Sequence, residues 1–419
     1  MKLCFSLGIW CSLLVLAPAA MGASFSLAEV VPTALAKNAD LVAARLAIDE
    51  AQGRLVQSGR LTNPELEVEV KPQVNLGGLG AQGVFAVGFT QRFPLTARLR
   101  LEKEVSRAAL AVARAEVRDA ERRLATEALT GAIGLLALDS QRNLKERQLT
   151  NSRELAAVAG KSATLGEGSG VEAAQFDLEA QELAVQRIQL ETERAELVGS
   201  LRPLLGVVAS DSIEIAGELS PARTPEATGE TPLTARPDYQ AAMARRETAD
   251  RALALARANR WQDIGVGVFG ELQQQEDDPL GVVNDNFIGL RVSLPLPFWN
   301  RNQGRIHESA ATVLRAERES EALAVRIRSE VEAAQRQMAT TARLDMEVSG
   351  TLLPNSAKLE ERLETLRSEG QATLTEVLRA RERRFRVESI RLDARRDFHR
   401  ARVRLDAATG MIVPDSHAH

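Results

Sequence analysis

The chain has 419 residues, of which 26% are charged and only 4% aromatic, with a formal net charge of −4. The mixing of both signs along the chain excludes a nucleic-acid surface, and the scarcity of aromatics argues for Ala/Leu/Glu/Arg helices rather than a large β-domain. Both cysteines, Cys4 and Cys11, lie near the N-terminus, so the rest of the chain can use neither disulfides nor thiolate metal sites.

The chain opens with Lys2, an apolar run from Leu3 to Leu16, and the small residues Ala19, Ala20, Gly22 and Ala23. That order predicts an export signal over residues 1–22. Cys11 follows Gly8-Ile9-Trp10, which is not the small-residue context of a lipidated cysteine. A helix is expected from Leu27 to Gly59. Glu65-Leu66-Glu67-Val68-Glu69-Val70 then alternates with period two, a strand with Glu65, Glu67 and Glu69 on one face and aliphatics on the other. A second strand, with Phe85, Val87 and Phe89 against Ala86, Gly88 and Thr90, follows a glycine-rich loop. That loop, Gly78-Leu79-Gly80-Ala81-Gln82-Gly83, matches a dinucleotide pattern, but a strand follows where a helix is required.

No proline occurs between Pro94 and Pro203. A helix from about Thr96 to Leu165 would be on the order of 100 Å long at about 1.5 Å per residue. Leu110, Ala113, Val117, Ala120 and Leu124 mark its buried seam. Gly166, Gly168 and Gly170 break it, and a return helix runs from Val171 to Leu205 with Leu183, Leu190, Leu197 and Leu204 every seven residues. Gly160-Lys161-Ser162 is half of a phosphate loop without its first glycine, since position 155 is Leu.

A linker rich in Pro, Thr, Ser and Gly spans 207–235, and a helix from Pro237 to Arg260 follows. Ile264, Val266 and Val268 alternate with glycines, and Ile288, Leu290, Val292 and Leu294 alternate with Gly289, Arg291 and Ser293. A second long helix starts near Asn302, with a seam at Ala324, Ile327, Val331, Ala334 and Met338. It carries Pro354, which should kink it, and turns at Gly370. The last helix runs from Thr375 to Ala408, and 411–419 is a tail in which His417 and His419 sit too isolated to define a metal site.

These elements are written twice. Asp40, Ala43, Leu66, Val68 and Val70 recur 198 residues later as Asp238, Ala241, Ile264, Val266 and Val268; Gly88 and Pro94 recur after 201 as Gly289 and Pro295; Asn151, Gly166, Glu172 and Gly206 recur after 204 as Asn355, Gly370, Glu376 and Gly410. The expected repeats are 23–206 and 236–410. A period near 200 indicates duplication of a whole module.

No later stretch approaches the roughly 20 apolar residues of a spanning helix. If the chain crosses a membrane it does so with strands, and only a closed barrel satisfies strand edges in lipid. Four strands cannot close alone. Three copies would give twelve strands and a water-filled passage, with Glu65, Glu67, Glu69 and Arg291 facing the lumen. Phe93, Trp261, Phe298 and Trp299 flank the strands as an aromatic belt or as packed core. A soluble antiparallel sheet with one wet face fits the same alternation.

Helix, strand pair, long helix, glycine-bearing turn and return helix, twice over, resemble the TolC family of outer membrane efflux proteins along essentially the whole mature chain. The run Gly59 to Val70, with Asn63-Pro64-Glu65-Leu66-Glu67, is similar to the motif opening the first strand in the family's heavy-metal branch. Leu352-Leu353-Pro354-Asn355, Glu369-Gly370 and Glu376-Val377-Leu378 resemble its second long helix and tip; Arg379 departs from relatives that are acidic there. The resemblance implies a mainly α fold with a β-barrel contribution. A homotrimer would form a twelve-stranded outer membrane barrel and a periplasmic helical barrel, coupled to an adaptor and an inner membrane pump.

On that reading the chain is a passive exit duct, not an enzyme, with no cofactor or metal site. Gly166, Glu167, Gly168, Gly170, Glu369 and Gly370 would meet the adaptor at the periplasmic tip. Glu172 and Glu376 would cap the return helices through the macrodipole or repeat around the pore as acidic rings. A periplasmic coiled-coil adaptor or tether, and a duct for drugs or secreted proteins, are the alternatives. An adaptor, however, has one helical hairpin flanked by soluble β-domains, not two hairpins alternating with strand pairs.

Overall fold

The computed structural model describes residues 23–73, 82–166, 169–208, 212–223, 232–277 and 281–411. The export signal, most of the Gly78–Gly83 loop, Glu167, Gly168 and the His417/His419 tail lie outside them. In chain order the elements are β1 (Ala23–Ser26), α1 (Leu27–Lys37), α2 (Ala39–Gln57), β2 (Glu65–Gln73), β3 (Gln82–Phe93), α3 (Arg98–Thr164), α4 (Gly170–Leu205), β4 (Ile213–Ala216), α5 (Pro237–Ala258), β5 (Ile264–Asp277), β6 (Gly281–Ser293), α6 (Gln303–Glu347), α7 (Leu353–Ser368) and α8 (Leu374–Thr409). No helix among the described residues is long and apolar enough to cross a membrane.

The chain divides into two compact units, each drawing on separate stretches of the sequence. The described residues of Met1–Asn38, Glu127–Arg223 and Thr341–Arg400 form one, and those of Ala39–Thr126, Thr224–Thr340 and Ala401–His419 the other.

The second unit carries an antiparallel sheet in the order β2-β3-β5-β6. Helix packing in this unit rests on small residues: Ala51, Leu110 and Ala113 are buried together with Ile48 and Leu55 against them, and Ala334, Leu405 and Ala408 with Val331 and Met338. The seam read from α3 is buried at Leu110, Ala113, Val117 and Leu124. Arg236 is buried, donating to Asp238 at 2.6 Å and to Glu330 at 2.7 Å. Burial pushes the Asp238 carboxyl up, but the hydrogen bonds and charge of Arg236, with Arg122 nearby, outweigh it and hold the group below its usual range.

The first unit contains the helix turns. Leu155, Ala159, Phe176 and Leu378 form a buried cluster with Ala156, Ala173 and Leu374. Glu360 on α7 is buried and receives Arg381 at 2.9 Å and Arg384 at 3.0 Å from α8.

Three features depart from the expected elements. The helix expected over Leu27 to Gly59 is interrupted at Asn38, which is extended (ψ 121°). The break lets the buried Asn38 amide donate to the Pro203 carbonyl at 3.0 Å, in the last turn of α4, where the Gly206 N–H reaches it only at 3.4 Å. Part of the expected linker is a strand: β4 pairs in parallel with β1, and Ile213 and Ile215 are buried. Ahead of Pro354, α6 passes into a π-helical segment, Val348–Leu352. The widened turn accommodates the N–H that Pro354 cannot donate, and the backbone stays helical through Leu353 (φ −66°, ψ −47°).

The two units share one kind of contact. Gly206 (φ +61°) ends α4 where an added Cβ would lie 2.4 Å from the Lys37 carbonyl oxygen. Gly410 (φ +79°) follows α8 where a Cβ would lie 2.6 Å from that of Ala235. Lys37 and Ala235 are themselves 198 residues apart, so the same close approach is made once in each unit.

Candidate functional site

The strands position two chemically opposed faces. Register places Leu66 opposite Phe89, Val68 opposite Val87 and Val70 opposite Phe85; Phe89 in turn faces Val268, and Val268 faces Leu290. Because side chains alternate across a strand, all of these share one face with Val266, Ile288 and Val292. That face has no cover: Leu66 is 69% exposed, Leu290 77% and Ile288 92%. A soluble sheet buries such a face, and an exposed apolar patch of this extent marks an interaction surface.

The opposite face carries Glu65, Glu67, Glu69, Thr90, Arg92, Glu271, Arg291 and Ser293, with Gly88, Gly265, Gly267 and Gly289 between them. Each predicted β2 carboxylate has a cationic partner: Glu65 with Arg92 at 3.2 Å, Glu67 with Arg291 at 2.7 Å, Glu69 with Lys71 at 2.7 Å. The β2 carboxylates are thus each paired, while Glu271 and Asp285 add further negative charge to the same face. The outer edges of β2 and β6 pair with no other strand among the described residues. Phe93, the last residue of β3, and Trp261, Phe298 and Trp299, just beyond the strands, are 43%, 42%, 65% and 90% exposed, which is not core packing. Phe298 and Trp299 meet edge to face at 6.2 Å.

At the helix turns, Gly166 (φ +78°) and Gly370 (φ +73°) adopt the left-handed conformation that lets a chain leave a helix. Gly370 N–H donates to Arg367 at 3.0 Å and Gln371 N–H to Leu366 at 2.8 Å, closing the end of α7 at Glu369. The return helices begin with the same pattern, Ser169-x-x-Glu172 before α4 and Thr373-x-x-Glu376 before α8, a capping-box spacing.

The two copies use it differently. Thr373 donates its N–H to the Glu376 carboxylate at 2.8 Å, and its hydroxyl accepts from Glu376 N–H at 3.3 Å. The Thr373 N–H and hydroxyl hold the exposed Glu376 carboxyl below its usual range. Ser169 Oγ accepts from Val171 N–H at 3.2 Å, one residue before which Gly170 starts α4. Glu172 turns instead to Arg379, which donates at 2.5 Å and stacks over the Phe176 ring at 5.6 Å. Glu172 and Glu376 are thus both used within the chain, one neutralised across to α8 and one capping α8. Arg379, noted in the sequence only as a departure, is the partner; the aligned Glu172/Glu376 positions gave no hint of that pairing.

Sequence reasoning also passed over Phe269, which interrupts the glycines on the polar face of β5. Its signal is an aromatic out of phase with Ile264, Val266 and Val268. Among the described residues no group of His, Asp and Glu is arranged to hold a metal ion.

Comparison with known proteins bears on both surfaces. Residues 230–411 match the family model described as outer membrane efflux protein. No curated protein matches the sequence. The fold is similar to that of the CmeC outer membrane channel of Campylobacter jejuni, with a TM-score of 0.74 and 15% identity over 93% of this chain and 87% of that one. CusC, described in connection with transmembrane channel formation, gives 0.75 and 18% over 92% of each chain. The outer membrane protein VceC of Vibrio cholerae gives 0.69 and 17% over 92% and 96%. At such identities the shared property is the fold, and this chain has the fold of these outer membrane proteins along nearly its whole length.

Proposed function

We propose that the chain is one protomer of an outer membrane efflux duct, a homotrimer in which three four-stranded sheets close one twelve-stranded barrel. The observation that carries this reading is the sheet itself: an uncovered apolar face, a polar face carrying ion pairs and two free edges. In lipid an open edge leaves backbone groups unsatisfied, whereas closure with further copies pairs every strand and puts the apolar face outward. The outer membrane efflux protein match over the second repeat and the fold shared with CmeC, CusC and VceC support the same assignment.

All strand ends that connect to helices lie on one side of the sheet in the chain's order, so the helices occupy the periplasmic side and the glycine turns meet a periplasmic adaptor, which links the duct to an inner membrane pump. The similarity of Gly59 to Val70 to the heavy-metal branch supports metal cations as cargo. At the tip, Glu376 supplies the acidic ring, while Arg379 balances Glu172. Mass measurement in mild detergent is expected to give three copies co-purifying with outer membrane; a stable monomer with all strands protected in lipid overturns the assignment. Glu376→Gln is expected to lower cation over anion selectivity in single-channel recordings, and unchanged selectivity leaves Glu376 as a helix cap alone.

A further inference from the structure

Of the three ion pairs among the described residues of the polar face, Glu69 with Lys71 lies within β2 and Glu65 with Arg92 joins adjacent strands. Glu67 with Arg291 does neither. It joins β2 to β6, the two edge strands, across β3 and β5. Register explains how. Glu67, Gly88, Phe269 and Gly289 form one row across the sheet, and Arg291 stands one same-face step along β6, opposite Gly267.

Glycines clear the path. An added Cβ on Gly289 would come within 2.6 Å of the Phe269 ring, so the ring lies down over bare backbone of β6. Gly88 places no side chain between Phe269 and Glu67; a Cβ there would already touch the Cβ atoms of both, at 3.6 and 3.9 Å. Arg291 Cζ sits 5.2 Å from the centre of the Phe269 ring while Nη1 donates to Glu67 Oε2 at 2.7 Å. The guanidinium thus meets an aromatic face and a carboxylate together, the two groups that attract a cation. Both charged side chains are about half exposed (52% and 53%), and an exposed pair of this kind is weak enough to exchange with solution ions.

We propose that Glu67 and Phe269 form a cation seat on the lumenal face of the barrel, that Arg291 is its resident cation, and that a cation passing through the duct displaces Arg291 from it. This rests on the duct reading above. Glu271, in the row of Glu69 and Ala86, and Asp285, opposite Gln273, are further carboxylates of that face, with Arg92 and Lys71 as further cations; Phe287 lies opposite Glu271, but among the described residues of the sheet it is Arg291 whose guanidinium lies over a ring. In a trimer it occurs three times at one level, so occupancy by Arg291 makes that level neutral and loss of Arg291 makes it acidic.

The test is ion selectivity of the full-length protein in planar bilayers. Arg291→Gln is expected to raise the cation over anion permeability ratio about twofold or more, as three carboxylates per ring are unmasked. Guanidinium ion, the Arg291 head group free in solution, is expected to reverse that shift at millimolar levels, and to do so less well in Arg291→Gln/Phe269→Leu. Glu67→Gln is expected to move the ratio toward anions, and Glu67→Gln/Arg291→Gln to return toward the parent value. A bridge that merely braced the sheet would be lost equally in either single variant, so shifts of the same sign, or none, overturn the cation seat while leaving the duct intact. Failure of the parent protein to conduct overturns the duct and the seat with it. Should Arg291→Gln not reach the membrane, the sign of the Glu67→Gln shift decides.

Discussion

Asn38 and Arg236 stand 198 residues apart, one in each unit, and meet the same need with different chemistry. The Asn38 amide donates to Pro203 at 3.0 Å, and the Arg236 guanidinium donates to the Ala408 carbonyl at 3.3 Å; both bond carbonyls in the last turn of a helix, where regular intrahelical donors run out. Arg236 brings a charge, and Asp238 follows to balance it. Arg236→Leu is expected to destabilise the protein by about 2–4 kcal/mol, below the full cost of breaking a buried pair because Glu330 is partly solvated. Asp238, with its folded-state pKa below the ordinary 3.8, contributes stability that is complete above that value and is lost as pH falls through the folded value. The melting-temperature gap between parent and Asp238→Asn should therefore be widest near neutral pH and close as pH drops below 3.8.

At the scale of elements, glycines decide where helices end and how near the next one comes. Gly206→Ala and Gly410→Ala each combine positive φ with a Cβ under 2.7 Å from a backbone oxygen, and each is expected to cost about 1–3 kcal/mol. Gly53, inside α2 with nothing within 4 Å of an added Cβ, should behave oppositely, Gly53→Ala stabilising by about 0.5–1 kcal/mol. Thermal unfolding of the three variants side by side separates the two kinds of glycine. Glu360 clamps α7 to α8 through two arginines, and Glu360→Gln is expected to loosen that hairpin, read as faster amide exchange in 353–368 with little change in the strands.

For the molecule as a whole, the uncovered face of the sheet is the commitment that the rest serves. Leu290 is 77% exposed on it. A charge there belongs in hydrocarbon only at a cost of about 2–4 kcal/mol near the bilayer midplane. Leu290→Arg should leave the chain in the soluble periplasmic fraction, whereas Ser293→Arg, one residue class away on the polar face, should still fractionate with outer membrane; equal behaviour of the two variants would contradict the facing assigned to β6.

The period-two runs at Glu65 to Val70 and Ile288 to Leu294, the long proline-free helix and the turn glycines were all legible in the sequence, because each is a local periodicity or a single residue with one conformational use. The family resemblance rested on that order of elements. Tertiary structure alone decided what distant residues do to one another: that Asn38 breaks a helix to reach α4, that β1 finds β4 inside an apparent linker, and that Arg379 takes Glu172 while Glu376 stays with Thr373. The seat made by Glu67, Phe269 and Arg291 depends on the register of four strands, and register is set by pairing across the sheet, which no local pattern encodes.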